Sequence, residues 1–368
     1  MIYLDNAATS YPKPKSVIRE VNKCISKYCG NPGRSGHRLS QYSAEMVYLA
    51  REALARLLST DSPEKIVFTL NSTYAINLAI KTEITEFCSV LTSDIEHNAV
   101  IRPLNRLHRE LGINISTFST VGDVEGNIEG AILPNTRFIV TTLRSNVTGH
   151  DIELSILKRV AKRHNLTLIL DASQYIGHSP IDLSGIDSYV LCAPFHKGLF
   201  GIQGGGFACF SSNTRRASFI EGGTGSFSKS PDMPLELPDG YEAGTLPTPA
   251  IVSCLFGVRY IEDIGITNIE KRINHLTDIL VSTLEKINGV RLYSRENGII
   301  SLLYKDMPSD SLSEYLSSRG ICSRGGLHCA PLAHKKLGTD ITGLTRLSLS
   351  YLNTEREILA VCSALREL

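Results

Sequence analysis

Short continuous apolar runs alternate with longer stretches of helical period from about residue 40 to residue 210. The runs are KIVFTL (65–70), SVLTS (89–93), RFIVTT (137–142), LTLILD (166–171) and SYVLCA (188–193). Between them, STYAINLAIKT, HNAVIRPLNRLHREL and ELSILKRVAKRHN space their apolar residues three and four apart, as one face of a helix requires. Strands that are apolar throughout are buried on both faces, so this alternation predicts a mostly parallel sheet with helices on each side. After about residue 250 the texture changes. IVSCLFGVRYIEDIG and INHLTDILVSTLEKI read as helices, and the shorter strands GIISLLY and TRLSLSYL follow, predicting a smaller α+β unit. The stretch from Gly222 to Pro249 is rich in Gly, Pro, Ser and Thr and reads as a long ordered loop between the two.

Composition narrows the class. Of 368 residues, 42% are apolar and 20% charged, an ordinary globular balance. With 38 basic and 37 acidic side chains and no basic block, neither nucleic acid nor an anionic membrane is an expected partner. MIYLDNAATSYPKP lacks the basic and apolar regions of a secretory signal, and no apolar run approaches the roughly 18 residues of a membrane span. Nine cysteines without a CxxC pair read as free thiols in a reducing compartment, so the expected setting is cytoplasmic.

Common nucleotide and hydrolase signatures are missing. There is no GxxxxGK[ST] and no GxSxG, and GIQGGGF carries Gln203 where a dinucleotide loop needs its second glycine. In open parallel sheets ligands sit beyond the carboxyl ends of the strands, so residues there carry the chemistry. Asp171 ends LTLILD, where it either faces that crevice or caps the following turn, and Gln174 lies one helical turn on. Lys197 follows the next strand among Phe195, Leu199 and Phe200; apolar surroundings favour the neutral amine that an imine requires. Ser72 and Thr73 open a helix, as a phosphate site or a plain N-cap. His97, also just after a strand, is a stacking or acid–base group, or structural. Cys329, in SRGGLHCAPLAH, reads three ways: a packed thiol, a nucleophile, or a zinc ligand with His328 and His334, although that spacing matches no common zinc pattern. A lysine for an imine, an acid for a protonated ring nitrogen, a phosphate cradle and a flat stacking partner together suit pyridoxal phosphate.

Ten blocks in order carry a family resemblance: YLDNAATSYPKP, NPGRSGHRLS, EHNAVIRPL, SNVTG, DASQ, HKGLFGIQG, GGTGS, YEAGTL, RGGLHCAP and RLSLSYLNT. Nearly end to end, the chain resembles the class V aminotransferase fold, in its cysteine desulfurase and selenocysteine lyase group. The resemblance implies an α/β protein of the pyridoxal-phosphate fold type I. A large domain (15–250) would hold a mostly parallel seven-stranded sheet, and a small α+β domain (1–14 and 251–368) would carry the cysteine loop. It implies that Lys197 bears the cofactor, Asp171 pairs with its ring nitrogen, Gln174 meets its phenolic oxygen and His97 stacks on the ring. Ser72, Thr73 and His196 would hold the phosphate, with Thr224 arriving from the second subunit of a homodimer. Asn146 and Arg346 would bind the substrate carboxylate, Arg324 would line the entrance, and Cys329 would be the catalytic cysteine.

The expected reaction is conversion of L-cysteine to L-alanine with sulfur passing to Cys329. Selenocysteine lyase and other C–S lyases or aminotransferases of the same fold are the alternatives, ahead of a non-enzymatic scaffold. The short RGGLHCAP context resembles the second class of desulfurase, which implies a sulfur-acceptor protein as partner. Asn71, Tyr74, Leu143, Phe195 and Pro247 depart from the residues common at their positions in the family.

Overall fold

The computed structural model describes residues 1–33, 35–60, 62–211, 214 and 217–368, so Arg34 of the NPGRSGHRLS block lies outside the described residues. The first half runs β1 (Ile2–Tyr3), α1 (Lys15–Lys23), α2 (Arg38–Leu57), β2 (Ile66–Thr69), α3 (Ser72–Glu83), β3 (Ser89–Ser93), α4 (Asn98–Leu111), β4 (Asn114–Phe118), α5 (Val124–Ala131), β5 (Thr136–Thr142), α6 (Leu154–His164) and β6 (Thr167–Asp171). The second half runs β7 (Tyr189–Pro194), β8 (Gly206–Phe210), α7 (Thr248–Ile264), α8 (Ile266–Leu284), β9 (Val290–Leu292), β10 (Ile299–Tyr304), α9 (Ser309–Ser318), β11 (Ile321–Cys322), α10 (Pro331–Leu337), β12 (Thr345–Ser348) and α11 (Glu355–Arg366).

Seven strands form the main sheet in the order β2-β8-β7-β6-β5-β3-β4. All its pairings are parallel except those of β8, which runs antiparallel to both β7 and β2. Side chains alternate between two cores, as a pleated strand dictates. Leu168 and Leu170 of β6 enter one core, and Ile169 enters the other. The first core also takes Met46 and Leu54 of α2 and Ile251, Leu255 and Val258 of α7; the second takes α3 and α4 through Ile76, Leu78, Val100 and Leu104.

A separate core gathers Leu276, Leu280, Ile300, Leu302, Leu347, Ile358 and Val361 around the antiparallel sheet β12-β10-β9, together with Leu4 from the start of the chain. Leu4 gets there because β1 pairs in parallel with β11, Ile2 against Ile321 and Tyr3 against Cys322. The residues after β1 then cross to the large sheet, where Ser10 N–H donates to the His196 carbonyl at 2.9 Å. The opening segment therefore touches both units.

Two glycines set the turn that carries Lys197. Gly177 has φ +76°, and a Cβ there would run into the Gly198 backbone; one on Gly198 would run into the Ile176 carbonyl. Only hydrogen at both positions lets the turn after β7 press against the turn after β6.

Candidate active site

One pocket lies beyond the carboxyl ends of β2, β3, β5, β6 and β7. Its walls include Ser72, Thr73, His97, Asn146, Asp171, Gln174, His196, Lys197, Arg324, Cys329 and Arg346. Of the residues to which the family resemblance assigns a role at the site, Thr224 alone lies elsewhere, in a separate cleft with Asn31, Tyr48 and Glu242.

Each wall residue is held by its neighbours. Asp171 is buried, and its Oδ1 accepts the Ser173 N–H at 2.9 Å. Burial presses the Lys197 ammonium, so its pKa falls from 10.5 to about 8, although the Asp171 carboxylate pulls the other way. Ser72 and Ser173 share a hydroxyl–hydroxyl bond of 2.6 Å at the start of α3, whose N-cap is Asn71. The departure at Asn71 is thus a helix cap: its Oδ1 accepts the Tyr74 N–H at 2.9 Å. His97 caps α4, and its Nδ1 accepts the Ala99 N–H at 3.0 Å, which leaves the proton on Nε2. Burial lowers its pKa. Gln174 donates from Nε2 to the Ala7 carbonyl at 2.8 Å.

The carbonyl of His196, one residue before Lys197, is a meeting point. It accepts from Ser10 N, Ser10 Oγ (3.2 Å), Thr9 Oγ1 (3.0 Å) and Lys13 Nζ (3.1 Å). Burial lowers the Lys13 pKa to about 8. The His196 ring is kept neutral by burial, with its pKa near 4, and its buried Nδ1 has no protein partner.

Arg346 is 1% exposed. It bonds Asp5 Oδ1 at 2.8 Å and the Asn146 carbonyl at 3.0 Å, and its Nε is buried without a protein partner. Arg324 is exposed, and its backbone bridges that of Arg346 at 3.2 and 2.8 Å. Cys329 is exposed, with its carbonyl held by the Asn98 N–H at 2.7 Å, while the Asn146 amide holds the His328 carbonyl at 2.7 Å. His328 and His334 face each other, Nδ1 to Nε2 at 3.4 Å. Among the described residues no cluster of three or more His, Cys, Asp or Glu side chains is arranged to hold a metal ion.

A family model described as aminotransferase class V matches residues 2–361. The chain belongs to this family. Within it the chain is similar to cysteine desulfurases. It is 32% identical over 380 residues to a probable cysteine desulfurase of Methanothermobacter thermautotrophicus, covering 100% of this chain and 94% of the relative. A probable cysteine desulfurase of Pyrococcus abyssi is 27% identical, with 100% and 94% covered. The solved apo structure of a cysteine desulfurase from Thermococcus onnurineus superposes with a TM-score of 0.88 at 28% identity, covering 100% of this chain and 94% of that one.

Class V aminotransferases depend on pyridoxal phosphate, and the pocket's donor set fits that group. A depressed lysine amine stands near a buried carboxylate. Ser72 and Thr73 lie at a helix N-terminus, with the unpartnered His196 Nδ1 in the same pocket.

Two buried residues, Arg144 in the pocket wall and Glu96 next to His97 in the chain, escaped the sequence reading. Arg144 is 2% exposed, paired with Asp151 at 2.6 and 2.8 Å, bonded to Ser179 at 2.9 Å and laid over the Tyr175 ring. Glu96, beside His97, is fully buried. Its carboxyl receives Thr141 Oγ1 at 2.8 Å, the Thr142 N–H at 2.9 Å and the Ser93 hydroxyl, and burial raises its pKa to about 7. Glu96 opens the EHNAVIRPL block and Arg144 falls between RFIVTT and SNVTG, but the burial of each depends on elements far along the chain.

Proposed function

We propose that the chain converts L-cysteine to L-alanine and takes the sulfur onto Cys329 as a persulfide. The observation that carries this reading is the placement of the Lys197 amine, the Arg346 guanidinium and the Cys329 thiol in the walls of one pocket. An aminotransferase has no use for a thiol there.

Pyridoxal phosphate would be held by Ser72, Thr73 and His196 at its phosphate, by Asp171 at its ring nitrogen and by Gln174 at its phenolic oxygen, with His97 against the ring. When bound, the cofactor supplies an electron sink for charge released at the substrate α-carbon. Lys197 anchors it and, as a neutral amine, takes up the α-proton at Nζ. Asn146 and Arg346 bind the substrate carboxylate. The free Nε of Arg346 supplies one charged donor, and the bond to Asp5 fixes the guanidinium plane. The Cys329 thiolate attacks the substrate sulfur: an S–S bond forms, the C–S bond breaks, and its electron pair stays on the β-carbon. Two protons then complete alanine: one reaches the β-carbon from Lys197 or His97, matching the proton given up by the Cys329 thiol, and the α-proton returns to the α-carbon from Lys197 Nζ. Arg324 is exposed in the wall of the same pocket, where the substrate would enter.

Transfer onward needs a second thiol, for which a sulfur-acceptor protein is the proposed partner. A homodimer is proposed as well. Thr224 cannot serve the pocket of its own chain from its separate cleft, and α1 and α2 leave Ile18, Leu39, Tyr42 and Tyr48 exposed. Nine unpaired cysteines suit a reducing, cytoplasmic setting. The proposed small domain takes in the three-stranded sheet, β1 and the loop bearing Cys329.

The test is a single turnover with L-cysteine. One alanine and one Cys329 persulfide per site are expected. Pyruvate and free sulfide without a persulfide would indicate a β-eliminating lyase instead. Parallel reactions with L-selenocysteine measure preference between the two substrates.

A further inference from the structure

His334 is fully buried on α10, five residues past the cysteine, and none of the roles assigned so far uses it. Its ring lies edge to edge with that of His328, with centroids 5.6 Å apart and planes 16° from parallel, the arrangement an in-plane bond between ring nitrogens requires. The bonds fix both tautomers. His328 Nε2 faces the Arg324 carbonyl at 3.2 Å and can only donate there, so His328 Nδ1 is an acceptor. His334 Nε2, 3.4 Å away, must then donate, and His334 Nδ1 accepts from the Thr339 hydroxyl at 2.9 Å. A directed chain therefore runs from Thr339 through His334 and His328 to the backbone of Arg324.

That chain ends in an unusual piece of backbone. His328 and Cys329 are consecutive non-glycine residues in the left-handed region, with φ of +52° and +57°. Side chains disfavour that region, so the surroundings must hold the pair in place. The carbonyls on either side of the peptide plane are pinned, His328 by Asn146 and Cys329 by Asn98, each at 2.7 Å. The Ala330 N–H closes the turn on the Leu327 carbonyl at 3.0 Å, and the ring chain holds the His328 side chain that projects from it.

We propose that His334 is a positioning residue for Cys329: through the His328 ring it locks the left-handed pair that presents the thiol to the pocket. This rests on the reading of Cys329 as the sulfur acceptor. His328 is then a strut between two fixed partners and not the base that deprotonates the neighbouring thiol.

The test compares His334→Phe with His334→Gln, which keeps an N–H donor, and Thr339→Val with Thr339→Ser, all in the cofactor-loaded enzyme. Persulfide formation on Cys329 is followed by mass spectrometry in single turnovers, and alkylation of Cys329 by iodoacetamide is measured alongside. His334→Phe is expected to slow persulfide formation by about tenfold to a hundredfold while KM for cysteine moves less than about twofold. His334→Gln should recover most of the rate. Alkylation should keep its rate throughout, because the thiol is displaced and not chemically altered. Equal persulfide rates for wild type and His334→Phe would overturn the proposal, as would Phe and Gln variants equally slow, or alkylation slowed in step with transfer. If His334→Phe does not fold, the Thr339 pair gives the same comparison. If wild type forms no persulfide at all, the reading of Cys329 fails instead. Hydrogen exchange at residues 324–330 then decides positioning alone: faster exchange in Phe and Val than in Gln and Ser supports it, and no difference overturns it.

Discussion

The Lys197 amine should betray its surroundings when apo-protein captures pyridoxal phosphate. Burial lowers its pKa from 10.5 to about 8. At pH 7 about a tenth of such amines are neutral, against about three in ten thousand for an ordinary lysine, a gain of roughly 300-fold in the form that attacks an aldehyde. Capture rates measured by stopped-flow absorbance from about pH 6 to about pH 10 should climb tenfold per unit and level off near 8. Replacing Asp171 by Asn removes the carboxylate that favours the ammonium, so the plateau should begin at lower pH even though capture weakens. The same shift has a stability counterpart. Between 8 and 10.5 the unfolded chain holds the proton more tightly than the folded one, so this group makes the apo-protein more stable as pH rises through that window, by about 3 kcal/mol at most. A capture rate still rising beyond about pH 9, or a plateau that Asp171→Asn moves upward, would refute the reasoning.

Other substitutions test the site and its scaffold. Cys329→Ala should abolish the mass gain of about 32 Da, one sulfur atom, after incubation with cysteine, yet leave the absorbance of bound cofactor intact; continued sulfur transfer at the wild-type rate would remove Cys329 from the mechanism. Gly198→Ala pushes a methyl group against the Ile176 carbonyl, and denaturation should show a loss of about 1–3 kcal/mol together with weaker cofactor binding. Arg51 bonds Glu242 at 2.6 Å in a buried pair, so Arg51→Met should cost about 3–5 kcal/mol by urea unfolding near neutral pH. Burial already holds the Glu242 pKa above its ordinary value, and losing Arg51 raises it further. A raised folded-state pKa gives stability that fades as pH rises, so the deficit should shrink in acid.

Much of this architecture was readable from alternation alone. SVLTS is β3 residue for residue, and the other four apolar runs match their strands to within a residue or two at each end. Strand β8 was not readable. GFACF begins on the last of three consecutive glycines that look like a loop, and only its pairing with both β2 and β7 shows why it is extended. Strand β4 was hidden for the opposite reason. As the edge strand beside β3 it carries the polar pattern NISTF, with little of the apolar signal of a central strand. At the site, residues at strand ends were legible because the topology of a parallel sheet brings those ends together. The roles of His334 and Arg144 were not, because each is defined by its surroundings: the His328 ring and the Thr339 hydroxyl in one case, Tyr175 and Ser179 in the other.

The opening segment has a consequence for how the protein is made. Residues 2–13 are made well before their partners, which are Ile321, Cys322, Arg346 and Ser348, with His196 between. At roughly 5–20 residues per second, more than 300 residues must be translated, roughly 17–70 s, before that first strand can dock. The large sheet can fold meanwhile, but the Arg346 end of the pocket closes only once residues 321–348 have emerged. A nascent chain stalled before residue 321 would therefore carry Lys197 and Asp171 on a formed sheet while still lacking its thiol, its Asp5–Arg346 pair and its seal.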